Sequence, residues 1–157
     1  MTLDIKYFRP MLSAKLPCAE GETPTQEDVI RDLERLDWSR GFWASPKIDG
    51  IRAVKSPTGL VSRTLKPIPN RFIQRCLADE VFNGLDGELV VGNPFEMKNF
   101  NDSQSGIMSH DGEPSFSWCI FDDITHPDAR FDWRNEQAFK RIDEILKSEP
   151  VHTKFEL

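Results

Sequence analysis

Residues 47–52 read K-x-D-G-x-R, a spacing of Lys47, Asp49, Gly50 and Arg52 that could support nucleotidyl chemistry. Four such fixed positions should occur by chance in only about 0.3% of chains of this length. A lysine amine attacks phosphorus only when it is unprotonated, and a free pKa of about 10.4 keeps it charged at neutral pH. The surroundings of Lys47 would therefore have to activate it. Taken alone, the motif is explained equally well by an Asp-Gly turn between surface residues.

The other motif residues have types that suit a nucleotide pocket. A strand end followed by Asp-Gly would present the amine at a pocket mouth, and Gly50 would admit a nucleotide close to the backbone. Arg52 could bind ribose or phosphate oxygens, and Asp49 would help to orient the site. Nucleotidyl transfer depends on positioning and on neutralising charge, which calls for a divalent metal held by carboxylates. We therefore expect acidic residues further along the chain.

Acidic residues occur in the stretch LDGELVV, which contains a D-G-E triplet. Strand alternation puts Leu85, Leu89 and Val91 on one side and Asp86 and Glu88 on the other, away from the main apolar row. Alone, a D-G-E triplet is weak evidence, because it is most often a hairpin turn. Its position after K-x-D-G-x-R gives it weight.

Taken in order, the motifs resemble those of the covalent nucleotidyltransferases, and among them the ATP-dependent DNA ligases of bacteriophage type. Residues 47–52 resemble the motif whose lysine becomes adenylated, and residues 62–63, Ser-Arg, resemble the motif that contacts the nick phosphate. Residues 86–88 resemble the motif whose glutamate contacts the AMP ribose or a metal ion. Residues 118–123 resemble the motif whose aromatic residue stacks on adenine. The resemblance thus assigns Lys47 as the AMP carrier.

Alternation within the last of these motifs selects the stacking residue. Phe116, Trp118 and Ile120 share one face of the expected strand, and Phe121 points to the other. Phe121 is therefore the candidate for stacking on adenine, with an ordinary core position as the alternative. Two further stretches support the phage subgroup, R-P-M-L at 9–12 and the polar loops at 101–106 and 110–114.

The resemblance implies a three-step reaction. Lys47 attacks ATP and releases pyrophosphate, AMP moves to a 5′-phosphate, and the neighbouring 3′-hydroxyl displaces AMP to seal the strand. It implies ATP and Mg²⁺ as cofactors, with Glu88 as a metal ligand, and nicked double-stranded DNA as partner. Ser62, Arg63 and the nearby Lys66 would bind DNA through its phosphates rather than its base sequence.

The sequence departs from the family pattern in two places. Ser45-Pro46 stands where many members have a glutamate two residues before the lysine. The motifs with which the family continues, E-G-hydrophobic and K-x-K, do not follow in these 157 residues, and neither does the OB-fold. We therefore expect little or no ligation by this chain alone, and the missing C-terminal half of a ligase as a separate partner chain. An RNA ligase or capping guanylyltransferase and a noncatalytic binding protein derived from a ligase are the alternatives.

The elements expected to position these residues form one α+β domain over residues 1–157. A capping-box pattern at Thr25 predicts a helix of about three turns, and apolar stripes predict helices at 70–77 and 132–147. Short apolar runs predict strands at 42–45, 51–56, 60–63, 85–92 and 116–124, with extended segments at 10–12 and 151–157. We expect mostly antiparallel sheets with flanking helices, a partial adenylation domain of the nucleotidyltransferase (ATP-grasp-like) type without an OB-fold.

The composition is that of a globular chain with a local basic region. The net charge is −6 and 38% of residues are hydrophobic, and no apolar run reaches the ~20 residues of a membrane span. Residues 47–75 hold seven Lys/Arg against one Asp/Glu, a basic island that could attract phosphate or form a solvated face. The three widely spaced cysteines support neither a disulfide framework nor a zinc site, and we expect a cytoplasmic protein.

Overall fold

The computed structural model describes residues 23–41, 43, 45–96 and 99–148, without the side chains of Arg40 and Asn99. The described residues fall into two compact units, one up to Lys47 and the other from Ile48 onwards. The extended segments expected at 10–12 and 151–157, and the R-P-M-L stretch at 9–12, lie outside the described residues. None of the helices in the described ranges is long and apolar enough to cross a bilayer.

The first unit contains helix α1, Gln26–Glu34, followed by a short 3₁₀ turn at Trp38–Arg40. The Thr25 hydroxyl accepts from the Asp28 backbone N–H, and the Asp28 carboxylate accepts from the Thr25 N–H at 2.9 Å. The predicted capping box is therefore confirmed. The strand predicted at 42–45 is wrong at its two described members, Trp43 and Ser45. An apolar run becomes a strand only where another strand pairs with it, and the described strands all begin at or after Ile51.

The second unit is built on a four-stranded antiparallel sheet. Its strands are β1 (Ile51–Ser56), β2 (Gly59–Ser62), β3 (Leu85–Val91) and β4 (Phe116–Asp123), in the order β2-β1-β3-β4. Its helices are α2 (Arg71–Cys76), α3 (Asn99–Met108) and α4 (Phe131–Ser148). The predicted α+β class, with an antiparallel sheet and flanking helices, is confirmed. The assignment of residues 1–157 to a single adenylation domain stays a prediction.

One face of the sheet carries the main core. Ile51, Leu89 and Trp118 lie opposite one another on β1, β3 and β4. Against this face pack buried apolar residues of all three helices, namely Ile73 from α2, Ile107 from α3, and Ala138, Ile142 and Ile145 from α4. We call the opposite side of the sheet the polar face. It carries a small apolar patch of Val54, Val61 and Ile124 together with charged side chains.

Helix α3 corrects one prediction, because residues 101–106 were expected in a loop. Serine, asparagine and glycine are weak helix formers, but here tertiary packing decides the conformation. Ser103 and Ile107 are fully buried, and the Ser103 hydroxyl accepts from the Val91 backbone N–H at 3.0 Å. The small side chain of Ser103 and the absence of one at Gly106 let this helix lie close to β3.

Candidate functional site

The polar face brings residues from three separate motifs together. Arg52 on β1 lies directly opposite Glu88 on β3, and Asp86 on β3 lies opposite Asp122 on β4. Side chains that pair across neighbouring antiparallel strands share a face. The D-G-E acids therefore lie beside the arginine of K-x-D-G-x-R, on the side away from the main core, as alternation predicts.

Arg52 is held in a two-pronged ion pair with Asp86. Its Nε donates to Asp86 Oδ1 at 3.1 Å, and its Nη2 donates to Asp86 Oδ2 at 2.6 Å. Asp86 is fully buried, whereas the Arg52 side chain retains 20% of its exposure. Bidentate arginine–carboxylate pairs combine charge with fixed geometry. The pair therefore fixes where the guanidinium lies; its predicted contact with ribose or phosphate oxygens stays a prediction.

The Phe121 ring lies beside the same guanidinium. Arg52 Cζ is 5.2 Å from the ring centroid, within the range of a cation–π contact. Phe121 is half-buried, and its contact with Arg52 puts the ring on the polar face. An aromatic ring next to a cation offers a surface that suits a flat heterocycle.

A β-bulge lies at the residue that carries this ring. Asp86 pairs with Asp122 and Gly87 pairs with Ile120. Phe121 is therefore an extra residue that pairs with no residue of β3. A bulge interrupts the alternation of side chains and turns them locally. As a result, the consecutive residues Phe121 and Asp122 both contribute to the polar face.

Burial raises the pKa of Asp86 above its ordinary value of 3.8, against the opposing effect of the Arg52 bond. The unfolded chain therefore binds fewer protons than the folded chain between the two pKa values, so this contribution to the free energy of unfolding falls as pH rises. We compare wild type with Asp86→Asn, which cannot ionise at this position. The free energy of unfolding of wild type minus that of the variant is expected to fall from pH 3.8 upwards and to level off above the folded-state pKa. Urea titrations across this range measure it, and a difference that rises with pH would contradict the assignment.

Gly50 is fixed by a close approach to β3. A Cβ atom at this position would lie 2.2 Å from the Leu89 carbonyl oxygen and 2.8 Å from Val90 Cγ2. Gly50→Ala is therefore expected to destabilise the fold by about 2 kcal/mol. Gly106→Ala is the matched control, because there the nearest atom is a Val91 methyl at 3.0 Å. It should change stability by less than about 1 kcal/mol, since alanine also favours the helix. Equal losses in urea unfolding would contradict this explanation.

The remaining predicted residues lie on exposed segments. Lys47 is the last residue of the first unit and is exposed, as is Asp49 at the start of the second. Ser62 ends β2 opposite Ala53, which places it on the core side of the sheet rather than the polar face. Arg63 and Lys66 are exposed in the turn that follows.

Backbone hydrogen bonds define that turn. The Ser62 N–H donates to the Lys66 carbonyl at 2.7 Å, and the Leu65 N–H donates to the Ser62 carbonyl at 2.8 Å. Leu65 adopts a φ of 61° to close it. The turn therefore has a fixed shape that projects two basic side chains into solvent.

Glu88 is the predicted metal ligand of this face, and a magnesium ion bound there together with a substrate stays a prediction. Glu88 is half-buried on the polar face, while both oxygens of Asp86 accept from Arg52. Among the described residues there is no group of three or more acids, histidines or cysteines that could hold a metal by itself. Mg²⁺ is commonly bound through one or two carboxylates, with substrate phosphates and water completing its shell.

Sequence reasoning did not identify the polar residues that support this face. Asp86 was expected only to face away from the core, and its role as the partner of Arg52 depends on strand register. Asp122 binds Arg134 of α4 at 2.9 Å, and Asn135 donates to the Phe121 carbonyl at 2.8 Å. The only sequence signal for these residues was helical spacing in α4. Residues 134 and 135 lie four and three positions before Ala138, on the same face of the helix as Ala138 and Ile142, and so near the sheet.

Comparison with known proteins supports a ligase relationship. No protein-family model matches the chain, and no curated protein matches it. Two crystal structures of Chlorella virus DNA ligase-adenylate are similar to it, with 33% and 34% sequence identity and a TM-score of 0.57 in both cases. Each covers 71% of this chain, which spans 40% and 39% of those ligase chains. The likeness supports a relationship of this chain to the DNA ligases.

Proposed function

We propose that this chain supplies the nucleotide-binding and lysine-adenylating part of an ATP-dependent DNA ligase of bacteriophage type. The observation that supports this most strongly is the convergence of Arg52, Glu88 and Phe121 on one face of the sheet. These residues come from three motifs separated along the chain. Their convergence agrees with the likeness to a protein named as a ligase-adenylate.

In the proposed reaction, the neutral Lys47 amine attacks the α-phosphorus of ATP. A nitrogen–phosphorus bond forms, the bond to the β-phosphate oxygen breaks, pyrophosphate leaves, and the amine proton passes to solvent. Asp49 orients the site, Phe121 stacks on adenine, and Arg52 and Glu88 face the ribose and phosphates. Magnesium at Glu88 would neutralise the charge that develops on the phosphates.

The DNA side of the proposal rests on the turn after β2. Arg63 and Lys66 are exposed there, beside Ser62, in the basic island of residues 47–75. Exposed basic side chains on a fixed turn suit contacts to phosphates, which position a duplex without reading its sequence. Nicked double-stranded DNA is therefore the proposed substrate of the complete enzyme.

Sealing requires more than this chain under the proposal. The chain spans about 40% of the ligase chains that it matches. The residues that complete the pocket and close over the nick would be provided by a C-terminal half, as a separate chain or as a continuation of this one.

Incubation with ATP labelled at the α-phosphate, in the presence of Mg²⁺, tests the proposal. We expect covalent label from ATP and not from GTP, either with this chain alone or once a ligase C-terminal half is added. Nicked DNA, but not RNA ends, should then be sealed in the mixture that contains both halves. Absence of label in both mixtures would contradict the adenylating function, and a preference for GTP would favour a capping enzyme.

A further inference from the structure

The bulged residue of β4 is held from outside the sheet. β4 is an edge strand of the described sheet, and Phe121 has no opposite residue in β3. Its carbonyl oxygen instead accepts from the Asn135 side-chain Nδ2 of α4 at 2.8 Å. The ladder hydrogen bonds that fix ordinary strand residues are locally interrupted at a bulge. The orientation of Phe121 therefore depends on a contact supplied by the helix.

The next residue is held by the neighbouring side chain of the same helix. Arg134 Nε and Nη2 donate to the two oxygens of Asp122, both at 2.9 Å. Arg134 Nη1 also donates to the carbonyls of Ala129 at 2.6 Å and Pro127 at 3.3 Å. Both partners of the ion pair are largely buried. One guanidinium thus ties the end of β4, the following loop and α4 together.

These contacts continue into the candidate site. Asp122 lies opposite Asp86, which binds Arg52, and Arg52 lies over the Phe121 ring. Two neighbouring acids in a buried position repel each other unless each is paired with its own cation. Arg134 therefore stabilises the arrangement in which Asp86 remains paired with Arg52.

We propose that Asn135 and Arg134 are positioning residues for the binding of a purine base. They hold the β4 bulge so that the Phe121 ring stays on the polar face next to Arg52. This inference rests on the proposed function, in which Phe121 stacks on the base. Neither residue contacts the nucleotide itself in this arrangement.

The test places 4-fluorophenylalanine at position 121 and records its ¹⁹F NMR signal in the full chain. Asn135→Asp keeps the side-chain shape but removes the N–H donor, and Asn135→Ala removes it without adding charge. Arg134→Lys keeps the positive charge but cannot donate to both oxygens of Asp122 in the same geometry. Arg130→Gln is the matched control, because its ion pair with Asp132 is solvent-exposed. We expect the signal to shift in the Asn135 and Arg134 variants and not in the control.

Each protein is then titrated with AMP and with ribose 5-phosphate, which lacks the base. The Asn135 and Arg134 variants should bind AMP about fivefold more weakly or worse, which is the lower end of what base–aromatic stacking contributes. The Asn135 variants should bind ribose 5-phosphate as wild type does. Arg134→Lys, which keeps the charge beside Asp122, should lose less affinity for ribose 5-phosphate than for AMP. In a Phe121→Leu background, Asn135→Ala should cause no further loss of AMP affinity.

An unchanged ¹⁹F signal in the Asn135 and Arg134 variants would overturn the inference. So would equal losses for AMP and ribose 5-phosphate, or an undiminished effect of Asn135→Ala in the Phe121→Leu background. A different failure is separable from these. If Phe121→Leu leaves AMP affinity unchanged, the stacking role in the proposed function is wrong, while the ¹⁹F signal still decides whether α4 holds the ring.

Discussion

Lys47→Arg protein is expected to acquire no covalent AMP above background when wild type does. Arginine keeps the positive charge and most of the length of lysine, but its guanidinium remains protonated with a pKa above 12 and cannot attack phosphorus. Noncovalent nucleotide binding should persist, because the charge is retained. The measurement is label that stays with the protein on a denaturing gel run at alkaline pH, after incubation with ATP and Mg²⁺. Lys140→Arg, on the exposed surface of α4, is the matched control and should label like wild type.

Lys55 is the competing nucleophile among the described lysines. Burial lowers its pKa, which would favour the neutral amine. However, Lys55 is only 2% exposed, and its amine donates to the Ser56 carbonyl at 3.1 Å and to Asn83 Oδ1 at 2.8 Å. An amine held in this way has no path to a nucleotide. Label that survives Lys47→Arg and disappears in Lys55→Arg would show that this reasoning is wrong.

Asp86→Ala is expected to lower the free energy of unfolding by about 3 kcal/mol. The change removes the buried carboxylate that binds the guanidinium of Arg52. Loss of one partner from a buried ion pair costs about 3–5 kcal/mol. Removing both charges in an Arg52→Met, Asp86→Leu double variant should restore much of the loss. Urea unfolding monitored by tryptophan fluorescence measures each variant.

Asp111→Ala is the control for that experiment. Its partner Arg71 lies at 3.2 Å, but the two side chains are 81% and 70% exposed. Exposed pairs contribute about 1 kcal/mol or less. If Asp86→Ala and Asp111→Ala destabilise equally, the buried pair does not have the structural importance assigned to it. A double variant less stable than Asp86→Ala would contradict the explanation by an unpaired charge.

The strands were predictable because their residues alternate strongly. The run at 51–56 matches β1 at both ends, and the runs at 85–92 and 116–124 match β3 and β4 to within one residue. Helix α4 was predictable from its apolar stripe. Helix α3 was not, because the propensities of its serines and glycine point to a loop. Its burial against β3 is a tertiary effect that local patterns do not contain.

The candidate site was predictable only as far as the faces of single strands. Alternation puts Glu88 and Phe121 on the sides away from the apolar rows, but it does not determine the order of the strands in the sheet. The pairing of Arg52 with Asp86 depends on the β1–β3 register, and the bulge at Phe121 depends on the β3–β4 register. Bulges have no reliable signature in a single sequence. The supporting contacts from Asn135 could not be predicted for the same reason.

Peptide mass spectrometry after incubation with ATP and Mg²⁺, with the ligase C-terminal half present and absent, tests the proposed function at its reacting atom. The peptide that contains Lys47 should gain the mass of one AMP, with fragmentation placing the group on the Lys47 side chain. The modification should disappear after acid treatment, as expected for a nitrogen–phosphorus bond. AMP on another residue, or no modified peptide in either mixture, would contradict the assignment of Lys47 as the residue that carries AMP.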